Sequence, residues 1–184
     1  MSWIDQRPDD AMAGAFEAIA SEQIETVEPT IFREAMSRLG AAVHVVTTAG
    51  PGGKSGFTAT AVCSVSDKPA TLLVCLNRRS QNAAILRSNG VFCVNTLAAD
   101  EEIVADCFAG RTGKFMEGRF ETGQWTVLKT GSPVLETAVV ACDCRVHEIK
   151  QMASHDVIFG AVEAVRLGPP GEALVYHDRA YKRV

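Results

Sequence analysis

The sequence predicts a mainly β protein, an antiparallel barrel with a few short peripheral helices. Three observations carry that expectation. β-branched and apolar runs recur along the chain, glycine- and proline-bearing turns separate them, and the helical segments fall between strands without regular alternation. A doubly wound sheet would place a helix after almost every strand.

The elements follow in order. Residues 1–28 differ in character from the rest. Ala11–Ala20 carries helix formers, but Gly14 weakens it and its apolar stripe is thin. This stretch is expected to be an N-terminal arm, flexible or an oligomer contact, and residues 29–184 the folded domain. After Pro29, Thr30 can cap a helix whose apolar positions Ile31, Phe32, Ala35, Met36 and Leu39 repeat at helical spacing, with Gly40 as its stop. Val43–Thr48 is strand-like, Gly50-Pro51-Gly52-Gly53 is a turn, and Gly56–Ser66 reads as one further strand, so the two form a hairpin. Thr71–Leu76 is a third strand. Ser80 opens a helix closed by Asn89-Gly90, and Val91–Asn95 is a fourth strand. Asp100-Glu101-Glu102 places acid in the first turn of a short helix. Gly110–Gly123 reads as a polar loop, Val139–Ile149 and Val157–Leu167 as two long strands, and Leu174–His177 as a last short one.

Bulk properties narrow the function. The chain has 184 residues, 47% hydrophobic content and a net charge of −4, with no block rich in Lys and Arg. That argues against a nucleic-acid partner. No apolar run approaches the ~20 residues of a membrane span. The N-terminus lacks the basic and apolar regions of a secretion signal, so a cytoplasmic location is expected. In that setting the six cysteines are reduced thiols, most of them behaving as small hydrophobes in strands.

Several motifs yield to structural readings. Gly53-Lys54-Ser55 resembles the end of a phosphate loop, but Thr48 stands where the first glycine is needed, and the segment lies between strands. No G-x-G-x-x-G follows a strand. Cys142-Asp143-Cys144 with His147 could supply metal ligands on paper. The alternation instead suggests Cys142 and Cys144 facing the core with Asp143 and Arg145 outward, and no metal is expected. Cys63 is read as a buried structural thiol, since activation would need a nearby base or cation.

Two segments carry the strongest chemical signal. Thr58-Ala59-Thr60-Ala61 offers small side chains that let a flat ligand approach the backbone. Asn77-Arg78-Arg79-Ser80 ends a strand and opens a helix, whose N-terminus attracts a phosphate. Arg78 can add a charge-assisted contact, and Ser80 and Asn82 neutral ones. Together they suggest a flavin nucleotide site.

The motifs Phe32–Ser37, Gly56–Val65, Leu73–Arg78, Cys93–Leu97, Phe108-Ala109-Gly110 and His155-Asp156 resemble, in order, those of the short-chain flavin reductases. These are the reductase components of two-component flavin monooxygenases. The likeness is nearest to the pyrimidine-utilisation and 4-hydroxyphenylacetate 3-monooxygenase branches, and it spans Pro29 to about Arg183. The resemblance implies an FMN-binding split β-barrel that forms a homodimer and holds FMN or FAD near the subunit interface. It implies that Thr58, Ala59, Thr60, Ala61, Ser64 and Val65 line the isoalloxazine. Leu76, Asn77, Arg78, Ser80 and Asn82 would hold the ribityl chain and phosphate. Many relatives carry Gly-Asp-His where this chain has Ser154-His155-Asp156, and His155 is expected on the nicotinamide side. The implied activity is NAD(P)H:flavin oxidoreduction, with hydride passing from NADH or NADPH to flavin N5 and reduced flavin serving a partner monooxygenase. No side chain is expected to be an essential acid or base, because the cofactors carry the chemistry. The alternative is a split-barrel flavin or haem carrier without turnover.

Overall fold

A computed structural model describes residues 25–184 of the chain. The helix expected over Ala11–Ala20, and most of the N-terminal arm, lie outside them. Helix α1 spans Pro29–Ser37. It starts at Pro29 rather than after a Thr30 cap, because proline's fixed φ and missing N–H suit the first helical position.

The rest is dominated by strands. In chain order they are β1 (Ala41–Ala42), β2 (His44–Thr48), β3 (Ser55–Ala59), β4 (Val62–Asp67), β5 (Ala70–Asn77), β6 (Val91–Thr96), β7 (Trp125–Val127), β8 (Pro133–Leu135), β9 (Val140–Met152), β10 (His155–Leu167), β11 (Leu174–His177) and β12 (Ala180–Arg183). Helices α2 (Gln81–Asn89) and α3 (Glu102–Phe108) lie between them. Seven strands form one antiparallel sheet in the order β3-β2-β6-β9-β10-β5-β4, with β1-β11-β12 and β7-β8 as smaller sheets.

The expected strand over Gly56–Ser66 is two strands, and this correction defines the fold. The hairpin with β2 holds only for Ser55–Ala59. Val62–Asp67 pairs instead with β5, at the opposite end of the sheet order. Neighbouring strands lie about 4.8 Å apart, so a flat sheet would separate β3 and β4 by about 29 Å. From Ala59 to Val62 the chain can span only about 11 Å. The sheet must therefore curl until its two ends meet at Thr60-Ala61, where small residues allow the crossing. Two backbone bonds fix the link: Val62 N–H donates to the Thr60 carbonyl (3.0 Å) and Cys75 N–H, from β5, to that of Ala61 (3.0 Å).

Two apolar cores flank the curled sheet. One gathers Val46, Phe57, Leu72, Val74, Phe92 and Ile158 beneath Leu86 of α2. The other packs Val45, Leu97, Phe108, Leu135 and Leu174 with Phe120 and Trp125, whose rings meet Phe108 at 5.0 and 5.4 Å between centroids. Gly160 lies at a β-bulge, and a Cβ there would sit 2.4 Å from the Phe92 ring. This close approach admits glycine alone.

The structure corrects further expectations. Asp143 does not face solvent: it is buried, accepting bonds from Thr130 N–H (2.7 Å) and Thr130 Oγ1 (2.5 Å). Thr130 lies in the connection between β7 and β8, and that connection covers this face of β9. The Gly110–Gly123 loop contains a 3-10 turn over Met116–Glu121. The β7–β8 pair, β1 and β12 were not foreseen; these short strands carry too little alternation to read. Burial pushes the Cys93 and Cys144 thiols upward, consistent with their role as core hydrophobes. Among the described residues no group of three or more His, Cys, Asp and Glu could hold a metal ion, and no helix is long and apolar enough to cross a membrane.

Burial also lowers the pKa of His44 from 6.5 to about 4, while its Nδ1 lies 3.0 Å from Thr96 Oγ1. Between those two values the unfolded chain binds this proton more readily than the folded one. Stability should therefore fall as pH drops from about 6.5 to about 4, by up to about 3 kcal/mol from this group. Urea unfolding across that range should show the decline, and His44→Gln should flatten it.

Candidate functional site

The closure of the sheet is incomplete. β4 pairs with β5 no further than Val62↔Val74, leaving Cys75, Leu76 and Asn77 without a β4 partner. Across the gap, β3 pairs only with β2 and leaves its outer edge open. The resulting cleft has a volume of about 520 Å³. It is lined by Thr58, Ala59, Thr60, Ala61, Leu76, Asn77, Ser80, Asn82 and His155, all singled out in the sequence.

Each wall is fixed by local chemistry. Thr58 Oγ1 donates to the Ala105 carbonyl (2.6 Å) and ties β3 to α3. A Cβ on Gly56 would sit 2.7 Å from the Phe108 ring, so the missing side chain lets Phe108 pack directly on β3. On the other wall, Asn77 Oδ1 accepts the Arg79 N–H (2.9 Å) and turns the chain into α2. Ser80 caps α2, its Oγ accepting from Asn82 N–H (3.3 Å) and Asn82 Nδ2 (3.1 Å). Asn82 Oδ1 accepts the Ser55 hydroxyl, which links the start of α2 to the start of β3.

His155 begins β10, opposite Asn77 of β5, and its Nδ1 lies 2.9 Å from Ser154 Oγ. It thus belongs to the strand rather than to a loop before it. Its neighbour Asp156 is fully buried and held by Arg87 of α2, through Nε to Oδ2 (3.0 Å) and Nη2 to Oδ1 (2.6 Å). The pair locks the helix whose first turn lines the cleft to the strand that carries His155.

Three candidates lie elsewhere. Ser64 and Val65 are exposed on β4, beside the bulge between Ser64 and Ser66, and do not line the cleft of their own chain. Arg78 is exposed and fastens the β9–β10 turn: Nη1 donates to Gln151 Oε1 (3.1 Å), Nη2 to the Ala153 carbonyl, and its N–H to the Ser154 carbonyl (3.0 Å). Cys63, expected as a buried structural thiol, is instead exposed on the edge strand β4 and lies outside the cleft.

The structure adds Phe57, Cys75, Phe108, Ala109 and Arg119 to the lining. Burial raises the Cys75 thiol, which keeps it neutral. Phe108-Ala109 carried a family signal, whereas Arg119 emerges from a polar loop that offered none. Past Thr58, Ala59, Thr60 and Ala109 the cleft adjoins a smaller compartment of about 200 Å³, bordered also by Arg111, Tyr176 and Tyr181. There the Tyr181 hydroxyl donates to Asp106 Oδ1 (3.0 Å), and Arg111 pairs with the same carboxylate (2.9 Å). Burial and that bond push the Tyr181 pKa up to about 12, so its phenol stays a donor.

A cleft lined by small residues on one wall and neutral polar groups at a helix N-terminus on the other, with no carboxylate in its lining, suits a planar, anionic nucleotide. The class this defines is confirmed by comparison: residues 36–184 match the flavin reductase like domain, and the chain belongs to that family. Among individual relatives, it is 51% identical over 162 residues to the NADH-dependent FMN reductase RutF of Methylorubrum populi, covering 88% of this chain and 79% of that one. A protein of Haemophilus somnus 129PT, assigned as a flavin reductase, superposes with a TM-score of 0.82 at 42% identity, covering 86% of this chain and all of the other. BorF, the flavin reductase component of a bacterial two-component tryptophan halogenase, superposes at 0.79 with 26% identity over 85% of this chain and 98% of its own. The split-barrel fold is common to them.

Removing one partner of the Arg87–Asp156 pair should be costly, because Asp156 cannot regain water. Arg87→Met is expected to lower unfolding stability by about 2–3 kcal/mol, less than for a fully buried pair because the Arg87 side chain is 40% exposed. Flavin affinity should fall with it as the start of α2 loosens. Urea unfolding and flavin fluorescence titration on the same variant check both.

Proposed function

We propose that the chain is an NAD(P)H-dependent flavin reductase that takes FMN into the cleft between β3 and β5, reduces it with NADH, and releases it to a partner monooxygenase. The observation that carries this reading is the cleft itself. Its small-residue end at Thr58–Ala61, its capped helix start at Ser80 and Asn82, and His155 at its rim lie together in one space. A volume of about 520 Å³ falls within the range of pockets that enclose a cofactor of this size.

The nicotinamide supplies the hydride and the flavin accepts it; the protein's part is to bring the two together and exclude side reactions. Thr58–Ala61 supply backbone close enough to face a flat ring. Ser80, Asn82 and the α2 N-terminus bind the polar end of the nucleotide. His155, its Nδ1 beside Ser154 Oγ, faces the nicotinamide. FMN and NADH are preferred here because the RutF relative is named for both, with FAD and NADPH as the pairs to compare. Ser64 and Val65, exposed on the edge strand β4, fit a homodimer in which they face the partner subunit. A cytoplasmic location agrees with such a role.

An anaerobic mixture of protein, NADH and FMN should lose the visible absorbance of oxidised flavin at a rate proportional to protein. Flavin binding without that loss would make the chain a carrier. In the same assay, His155→Ala should raise KM for NADH several-fold and leave FMN affinity nearly unchanged. An equal loss of both would remove His155 from the nicotinamide side.

A further inference from the structure

We propose that Arg119 recognises the phosphate monoester of the flavin nucleotide, and that this contact makes the protein select FMN over unphosphorylated riboflavin. The inference rests on the reading of the cleft as a flavin site.

The sequence points to Arg78 for this role, but the structure commits Arg78 to Gln151 and Ala153 at the β9–β10 turn. Arg119 lines the cleft itself. Its Nε donates to the Lys114 carbonyl (3.3 Å), and its Nη1 to the carbonyls of Gly56 (3.3 Å) and Phe108 (3.4 Å). These partners hold the guanidinium in place and are all neutral carbonyls. No carboxylate among the described residues pairs with it, and none lines the cleft. Its remaining nitrogen, Nη2, donates to no atom of the described residues and lies beside the Gly110 backbone, 3.4 Å from where a Cβ would stand.

Position decides which part of the ligand it meets. Gly56, whose carbonyl holds Nη1, follows Ser55 in β3. Ser55 donates to Asn82, the second residue of α2. The cation and the first turn of a nine-residue helix thus meet at adjacent residues of one strand. A phosphate monoester, with its charge of about −1.5 to −2 near neutral pH, gains there from a fixed guanidinium, a helix N-terminus and the Ser80 hydroxyl together. Riboflavin offers only a hydroxyl at the same place.

The test compares Arg119→Gln, Arg119→Lys and Arg78→Gln in the full chain, measuring dissociation constants for oxidised FMN and riboflavin by fluorescence quenching, with thermal unfolding alongside. Wild type should bind FMN more tightly than riboflavin. Arg119→Gln should lose about tenfold or more in FMN affinity, the scale of one charge-assisted contact, with riboflavin nearly unchanged. Arg119→Lys should recover part of the loss, and Arg78→Gln should leave the FMN-to-riboflavin ratio intact. Equal weakening of both flavins by Arg119→Gln would assign Arg119 to the ring or to the scaffold, and collapse of the ratio in Arg78→Gln would return the phosphate to Arg78. Either result overturns the proposal. A wild type that binds neither flavin would instead overturn the reading of the cleft. Should Arg119→Gln fail to fold, arginine modification by phenylglyoxal on wild-type protein gives a second answer. Peptide mapping should show Arg119 protected by FMN and not by riboflavin, and equal protection by both would reject the phosphate contact.

Discussion

Two strands adjacent in sequence, β3 and β4, stand at opposite ends of one seven-stranded sheet, joined through Thr60-Ala61. A link this short cannot bridge a flat sheet, so the sheet curls until its ends touch. Closure holds only at the link. Beyond it, β5 continues toward α2 while β3 runs back toward its start at Ser55, and the gap between them is the cleft. Fold and site therefore share one cause, because the crossing that closes the barrel also opens it at one end. The residues at the crossing must be small both to pass between the sheet ends and to leave room for a flat ligand.

A gap in a barrel becomes a site only if its walls are held. Here the walls are bound together by polar contacts across elements: Arg87 to Asp156, Ser55 to Asn82, Thr58 to Ala105, and Arg78 to the β9–β10 turn. The first places the α2 N-terminus and His155 in fixed relation, and the last steadies the turn preceding His155. Pre-set geometry of this kind lowers the entropy lost when two cofactors are brought into contact. The charge distribution follows the same logic, with a helix N-terminus and a guanidinium that pairs with no carboxylate among the described residues lining a cleft that carries none.

Much of this was legible in the sequence because local chemistry encodes it. Ser80 as a cap, Gly90 as a left-handed stop and the long strands β9 and β10 all have short-range signatures. The run Thr58–Ala61 and the Asn77–Asn82 segment were recognisable as ligand-facing from side-chain size and hydrogen-bonding capacity. The break at Thr60-Ala61 was not legible. Every residue from Gly56 to Ser66 suits extended backbone, and only the pairing partners reveal two strands. That break also moves Ser64 and Val65 away from Thr58–Ala61, although they read as one motif. Arg78 and Arg119 show the same limit, since each is a basic residue near polar neighbours and only tertiary contacts assign the first to a turn and the second to the cleft. Asp143 looked outward by alternation because nothing in β9 announces the β7–β8 connection that covers it.

A flavin bound in the split between β3 and β5 would touch both walls of the cleft at once. Titrating oxidised FMN into 15N-labelled protein, with amide shifts followed residue by residue, tests this placement directly. Shifts concentrated at residues 56–61, 75–82, 108–110 and 119, and at His155, are expected. Shifts confined to the opposite end of the barrel, or centred on the compartment of Tyr176 and Tyr181 without β5 and α2, would contradict it.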